Sequence, residues 1–183
     1  MDWSKVEFKD EKRYLSNMYE TPIIFSASAD IKESFPEISF DGHTYGSSEH
    51  LYQSLKSNSE EWHEKIRSVL DPHKTKTMAK KELTTQPDLF GGGFFMRPDF
   101  HSIKSKLMFL IVYLKFSQNE ELKEKLLATG DELLIEKNCW HDTYWGVCDG
   151  VGKNILGRIL MQVRYLLKNN LSPRWSKEHI KLN

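Results

Sequence analysis

Between residues 99 and 114 the chain carries its clearest folding instruction. Phe100, Ile103, Leu107, Leu110 and Leu114 recur at the spacing of one helix face. Asp99 stands where an N-cap belongs, so the pattern predicts a strong helix starting there. Within it, Leu107 to Leu114 is the longest fully apolar run, eight residues. A membrane span needs roughly 20 apolar residues, so none is expected.

Other segments supply partners for that helix. Ser47-Ser48-Glu49 reads as a helix start with Ser47 or Ser48 as cap. Trp62, Ile66, Val69 and Leu70 share one helical face. Asp71-Pro72 restarts the chain with a cap and a proline at the first helical position. Gly91-Gly92-Gly93 is a break. Asn119 opens a helix ending at Thr129-Gly130, and a final helix over about Lys153 to Lys168 turns Ile155, Ile159, Val163 and Leu166 inward. The first forty-five residues read as irregular and extended, with apolar bursts at Pro22 to Phe25 and Ile38 to Phe40. Asp41-Gly42, between Phe40 and Tyr45, predicts a hairpin turn, and Glu132 to Glu136 a short strand. At 183 residues, 39% of them hydrophobic, the expected architecture is a helix-rich α+β fold with a few short strands, residues 1–183 forming a single domain.

The chain balances 26 basic against 26 acidic residues. Phosphate neutralisation supplies most of the affinity of proteins that live on nucleic acid. A long footprint on DNA or RNA is therefore not expected, whereas brief contact with one nucleotide remains open. Met1-Asp2-Trp3-Ser4-Lys5 lacks the basic cap and apolar stretch of a signal peptide. Cys139 and Cys148 show no CxxC spacing, so a reducing, cytoplasmic setting is expected. The seven histidines form no H-x-x-x-H pair, and neither a metal nor a cofactor is expected.

Two constellations carry chemistry. From Glu136 to Gly146, Trp140 and Trp145 are interleaved with Glu136, Asn138 and Asp142. Base recognition needs flat apolar faces beside polar groups aimed at base edges. Either tryptophan alone would serve as a core anchor, but an apolar core would not interleave acids and amides so densely. The second constellation is Ser48 to Lys56, where Glu49, Gln53 and Lys56 stand at i, i+4 and i+7 on one helical face. An ordinary amphipathic surface helix with a solvated polar face has the same spacing. Arg97, ahead of Asp99, suits a phosphate by its fork geometry or a surface pairing with that aspartate. Gly150 to Asn154 runs into the last helix and offers backbone N–H groups to an anion, without a Walker or dinucleotide pattern.

Taken in order, several stretches resemble the NADAR family (YbiA-like proteins). They are Tyr14 to Tyr19, Pro22-Ile23, Tyr45 to His50, Gln53 to Lys56, Met96 to Asp99 and Lys115 to Asn119. Glu136, Asp142, Tyr144-Trp145-Gly146, Gly152 to Gly157, Met161 and Arg164 complete the set. The resemblance implies a metal-free α+β domain that hydrolyses the bond between ribose C1 and an exocyclic amine. Two substrate classes follow from it: ADP-ribosylated guanine in nucleic acid, the preferred reading, and ribosylated pyrimidine intermediates of early riboflavin synthesis. A non-catalytic module binding ADP-ribose or NAD derivatives is the alternative from another class. Nucleic acid or the ribosylated intermediate is then a transient partner, no membrane is involved, and the oligomeric state is left open.

Carried over by resemblance, Glu49 and Lys56 are the catalytic candidates. Glu49 would stabilise charge developing at C1. Lys56 would capture C1 as a Schiff base once the ribose opens. Asn17, Arg97 and Lys153 would contact ribose or phosphate, Trp140 and Trp145 would wall the base, and Glu136 and Asp142 would bond the substrate or orient water. Ser48 and Gly146 complete the expected binding set. The chain departs from the family pattern twice. Phe100 stands where tryptophan is common, and Phe25 to Pro36 forms an insertion expected to reshape the substrate mouth.

Overall fold

The computed structural model describes residues 10–85 and 93–174. A 3₁₀ turn, Asp10–Leu15, leads into β1 (Glu20–Ile24), α1 (Ala29–Ser34) and β2 (Thr44–Ser47). Then come α2 (Ser48–Ser54), α3 (Glu60–Arg67), α4 (Pro72–Glu82), β3 (Leu83–Thr84) and β4 (Phe94–Phe95). Helices α5 (Phe100–Ser117), α6 (Glu120–Ala128) and α7 (Ile155–Lys168) follow. The result is a helix-rich α+β fold in which the described residues form two two-stranded sheets, β1 with β2 antiparallel and β3 with β4 parallel.

Helix α5 is the axis. It packs on α7, α6, α2 and β1, and from Leu107 to Val112 every residue is buried, so its apolar character runs right round. Burying one such side chain contributes about 1.5–3 kcal/mol, which is why a helix enclosed on all sides reads as a continuous apolar run. Ile155, Ile159, Val163 and Leu166 of α7 face it as expected. Asn119 caps α6 by accepting the Leu122 amide, and Gly130 ends it at φ 57°. No helix among the described residues is long and apolar enough to cross a membrane.

Several expectations give way. Asp99 does not cap α5: its carboxylate instead takes two hydrogen bonds from Arg97. β2 pairs with β1 rather than with Ile38 to Phe40, so Asp41-Gly42 closes no two-residue hairpin. Gly42 does adopt φ 74°, in a turn where Asp41 accepts the His43 amide. The early region is also more ordered than its scattered polarity suggests. The Phe25–Pro36 insertion houses α1, and Phe35 stacks 6.5 Å from Phe109 of α5. Helix α3 stops at Arg67, where Trp62 and Ile66 are fully buried, and Leu70 beyond it is 91% exposed.

Residues 132–136 form no ladder strand. Their backbone is satisfied by side chains instead: Arg164 donates to the Glu132 carbonyl, and Asn154 bonds both the Leu134 carbonyl and the Glu136 amide. Gly91 and Gly92 lie outside the described residues, and Gly93 adopts φ 104°.

Candidate active site

The site is built where α2 faces the 136–146 segment. Ser47 sits in extended backbone and its Oγ accepts the His50 amide at 3.3 Å, which starts α2. His50 Nε2 lies 2.9 Å from the Val69 carbonyl and must donate to it, leaving Nδ1 to accept the Ser47 hydroxyl at 2.8 Å. His50 therefore anchors the start of α2 to the Val69 carbonyl.

All seven residues of α2 are buried, so the helix is no solvated surface element. Glu49 is 6% exposed, and Gln53 Nε2 donates to its Oε1 at 2.6 Å. The other Gln53 amide atom, Oε1, is buried without a partner. The Glu49 amide donates to the Asn17 carbonyl at 3.1 Å, which pins the Ser16–Met18 loop across the start of α2. Lys115 of α5 braces the same loop from below, donating to the carbonyls of Tyr14 and Ser16 at 2.5 and 2.9 Å. Complete burial pushes the Lys115 pKa from 10.5 down to about 7.

Helix α2 ends before Lys56, but the following turn, in which the Lys56 amide returns to the Gln53 carbonyl, carries its side chain into the same space. The Lys56 ammonium lies 5.6 Å from the ring centroids of both Tyr52 and Phe100. Burial holds its pKa below the ordinary lysine value; Glu49 pulls it up and Lys76 pushes it further down.

The facing wall depends on a close backbone approach. A Cβ on Gly146 would sit 2.2 Å from the Glu136 carbonyl, so only glycine lets the two segments meet. There Val147 donates to the Glu136 carbonyl at 2.7 Å and Asn138 to the Val147 carbonyl at 2.9 Å. Asp142 Oδ1 takes the amides of Tyr144 and Trp145 at 3.1 and 2.8 Å, a tight turn that presents Trp145. Trp145 then meets Tyr52 edge-on, at 5.6 Å and 88°. Glu136 Oε2 is buried without a partner. Burial first, then the neighbouring Asp142 charge, pushes the Glu136 pKa from 4.5 up to about 7, against an opposing pull from Lys76.

Between these walls lies a cavity of about 470 Å³. Seven residues expected from the sequence line it: Asn17, Glu49, Lys56, Glu136, Trp140, Asp142 and Trp145. Trp140 stands at its rim, 61% exposed. Four others do not line it. Ser48 is wholly buried with an unpartnered Oγ, and Gly146 serves backbone packing. Arg97 is occupied by Asp99 and the Glu37 carbonyl, which is the pairing its sequence neighbourhood also allowed. Lys153 lies over Tyr144, 5.8 Å from the ring centroid.

Where the glycine-rich segment enters α7 its amides are turned inward and are not offered to an anion. Lys153, Asn154, Ile155 and Leu156 donate to the carbonyls of Thr143, Gly146, Tyr144 and Trp145. No residue of the Phe25–Pro36 insertion lines the cavity, so it does not shape the mouth as expected. What sequence reasoning missed is mainly Tyr52, Met108, His73 and Lys76. The first two look like ordinary core residues. The last two lie in a helix whose start is marked by Asp71-Pro72 but whose part in a site is signalled by nothing except its density of lysine. Among the described residues, no three His, Cys, Asp or Glu side chains group to hold a metal ion.

Comparison with known proteins gives this arrangement a context. N-glycosidase YbiA of Escherichia coli K12 is 33% identical over 153 residues, spanning 80% of this chain and 89% of that protein. Riboflavin biosynthesis protein VVA0006 of Vibrio vulnificus is 34% identical over 161 residues, 85% of this chain but 41% of that protein. The solved NMR structure of E. coli YbiA matches with a TM-score of 0.69 at 30% identity, covering 90% of this chain and 85% of the other. A NADAR domain profile matches residues 3–168. The chain belongs to the NADAR domain family.

Proposed function

We propose that the cavity cleaves the bond between ribose C1 and an exocyclic base amine, with ADP-ribosylated guanine in nucleic acid as substrate. The enzyme class is that of the relatives: the chain is a hydrolase of the N-glycosidase type. One observation carries the finer reading. A desolvated lysine, a fixed carboxylate and a carboxyl group with a raised pKa converge on one aromatic-walled cavity.

The chemistry follows from those groups. The exocyclic nitrogen lone pair forms a C1=N bond as the bond from C1 to the ring oxygen breaks, and that oxygen takes a proton. The Lys56 amine adds to C1, and the base departs as a free amine after its nitrogen receives a proton from Glu136. Water then adds to the C1=N bond to Lys56, the lysine leaves, and the sugar aldehyde recloses. One water is consumed, and base amine plus ADP-ribose are released. Burial supplies Lys56 with more neutral amine than a free lysine has at the same pH. Glu136, with a pKa of about 7, keeps protonated acid available near neutrality. Glu49, held by Gln53, places negative charge beside C1 as positive charge builds. Exposed Trp140 offers a stacking face to a base still attached to a polymer.

A second reading, hydrolysis of ribosylated pyrimidine amines, is favoured by relatives named for riboflavin biosynthesis. The test is release of free ADP-ribose from a guanine-ADP-ribosylated oligonucleotide, followed by mass spectrometry, with Lys56→Ala and Glu49→Gln alongside. Release by the unsubstituted protein alone supports the first reading. No release, with turnover of a ribosylaminopyrimidine phosphate, moves the assignment to the second. Inertness toward both would leave a ligand-binding module.

A further inference from the structure

Both substrate classes carry phosphate on the ribose 5′ carbon, yet the cations that suit phosphate in the sequence do not line the cavity. Arg97 is paired with Asp99, Lys153 lies over Tyr144, and the amides leading into α7 are used internally. Lys56 sits inside, over two aromatic rings. The remaining nitrogen-bearing donors of the lining, His73 and Lys76, come from α4, which no functional motif marks.

Asp71 caps α4 by accepting the His73 amide, and Pro72 takes the first helical position. This fixes the first turn so that His73 and Lys76, at i and i+3, share a face and both line the cavity from its exposed edge. Although the whole chain is electrically balanced, α4 is not. It carries Lys74, Lys76, Lys80 and Lys81 against the single acid Glu82, and Glu82 is taken by Lys65 of α3 at 2.5 Å. The other walls bear Glu49, Glu136 and Asp142. The cavity is therefore polarised, acidic where the C1–N bond would break and basic at one edge of its mouth.

We propose that His73 and Lys76 hold the phosphate of the substrate's ribose arm, setting a requirement for phosphorylated ribosides. The inference rests on the N-glycosidase reading and deepens it. Lys76 also acts at a distance, since its charge lowers the pKa of both Lys56 and Glu136. A phosphate paired with Lys76 would offset that field, so binding of the arm and readiness of the acid are linked.

The experiment compares kinetics on an ADP-ribosylated guanosine and on the same compound stripped of its phosphates to the bare riboside. Lys76→Ala is expected to raise KM for the phosphorylated substrate about tenfold or more, as loss of a charge-assisted contact does. The rise in KM should be severalfold smaller on the bare riboside, which offers no phosphate to either side chain. His73→Ala should act in the same direction and Lys76→Arg should restore affinity. Equal KM changes on both substrates, or none on either, would overturn the proposal. Calorimetric titration with ADP-ribose reads the same contact without turnover. If the unsubstituted protein turns over neither substrate but binds ADP-ribose more tightly than Lys76→Ala does, the clamp stands and the guanine reading falls. Equal binding by the two proteins, or none by either, removes the clamp.

Discussion

Replacing Glu136 by glutamine separates stability from catalysis at one atom. Its carboxyl has a pKa of about 7 in the folded chain against an ordinary 4.5. Because the folded value is raised, its contribution to stability is fully present below pH 4.5 and is lost as pH rises through about 7. At 1.36 kcal/mol per pH unit, ionising it inside the fold costs about 3 kcal/mol by pH 8. Glutamine never ionises but still buries an amide, at about 1 kcal/mol, so a net gain of about 2 kcal/mol remains at pH 8. For a domain of this size that corresponds to a Tm higher by about 4–8 °C.

The gain should shrink to nothing or reverse by pH 4.5, while turnover falls about 10²–10⁴-fold at all pH values as a proton donor is removed. Differential scanning fluorimetry across pH 4.5 to 8, paired with ADP-ribose release rates, reads both effects. A Tm difference that does not vary with pH would refute the buried-acid argument. Retained activity with an unchanged alkaline limb would refute the role as donor.

Lys56→Arg keeps the charge but cannot form a Schiff base. Borohydride added during turnover should attach a reduced sugar adduct to the unsubstituted chain and none to the variant by peptide mass spectrometry. Gly146→Ala drives a methyl to 2.2 Å from the Glu136 carbonyl, and chemical denaturation should show a loss of about 2 kcal/mol or more. Trp140→Ala removes a side chain that is 61% exposed, so Tm should hold while KM for a base-bearing substrate rises about tenfold. Lys115, with a pKa lowered from 10.5 to about 7, contributes stability above pH 10.5 that is lost as pH falls through about 7. Lys115→Met should erase that pH dependence in urea titrations, whatever the cost of orphaning the Tyr14 and Ser16 carbonyls.

Local pattern settled what local physics controls. Helical periodicity marked α5 and α7; caps at Ser47, Asp71 and Asn119 marked where α2, α4 and α6 begin, because a side chain and an amide two or three residues apart meet without outside help. Resemblance in the order of short motifs named residues that do share the cavity, Glu49 and Lys56 from one segment and Glu136, Trp140, Asp142 and Trp145 from another. Partnership at a distance was not legible. Arg97 took the Glu37 carbonyl besides its sequence neighbour Asp99, the amides of 153–156 took carbonyls of 143–146, and the 132–136 backbone took Asn154 and Arg164, each a choice among competing partners that only packing resolves. The same holds for pKa values, since desolvation of Glu136 and Lys56 depends on what surrounds them in space. His73 and Lys76 look like solvent-facing helix residues until α4 docks against α2, and only that docking turns a run of lysines into one edge of the site.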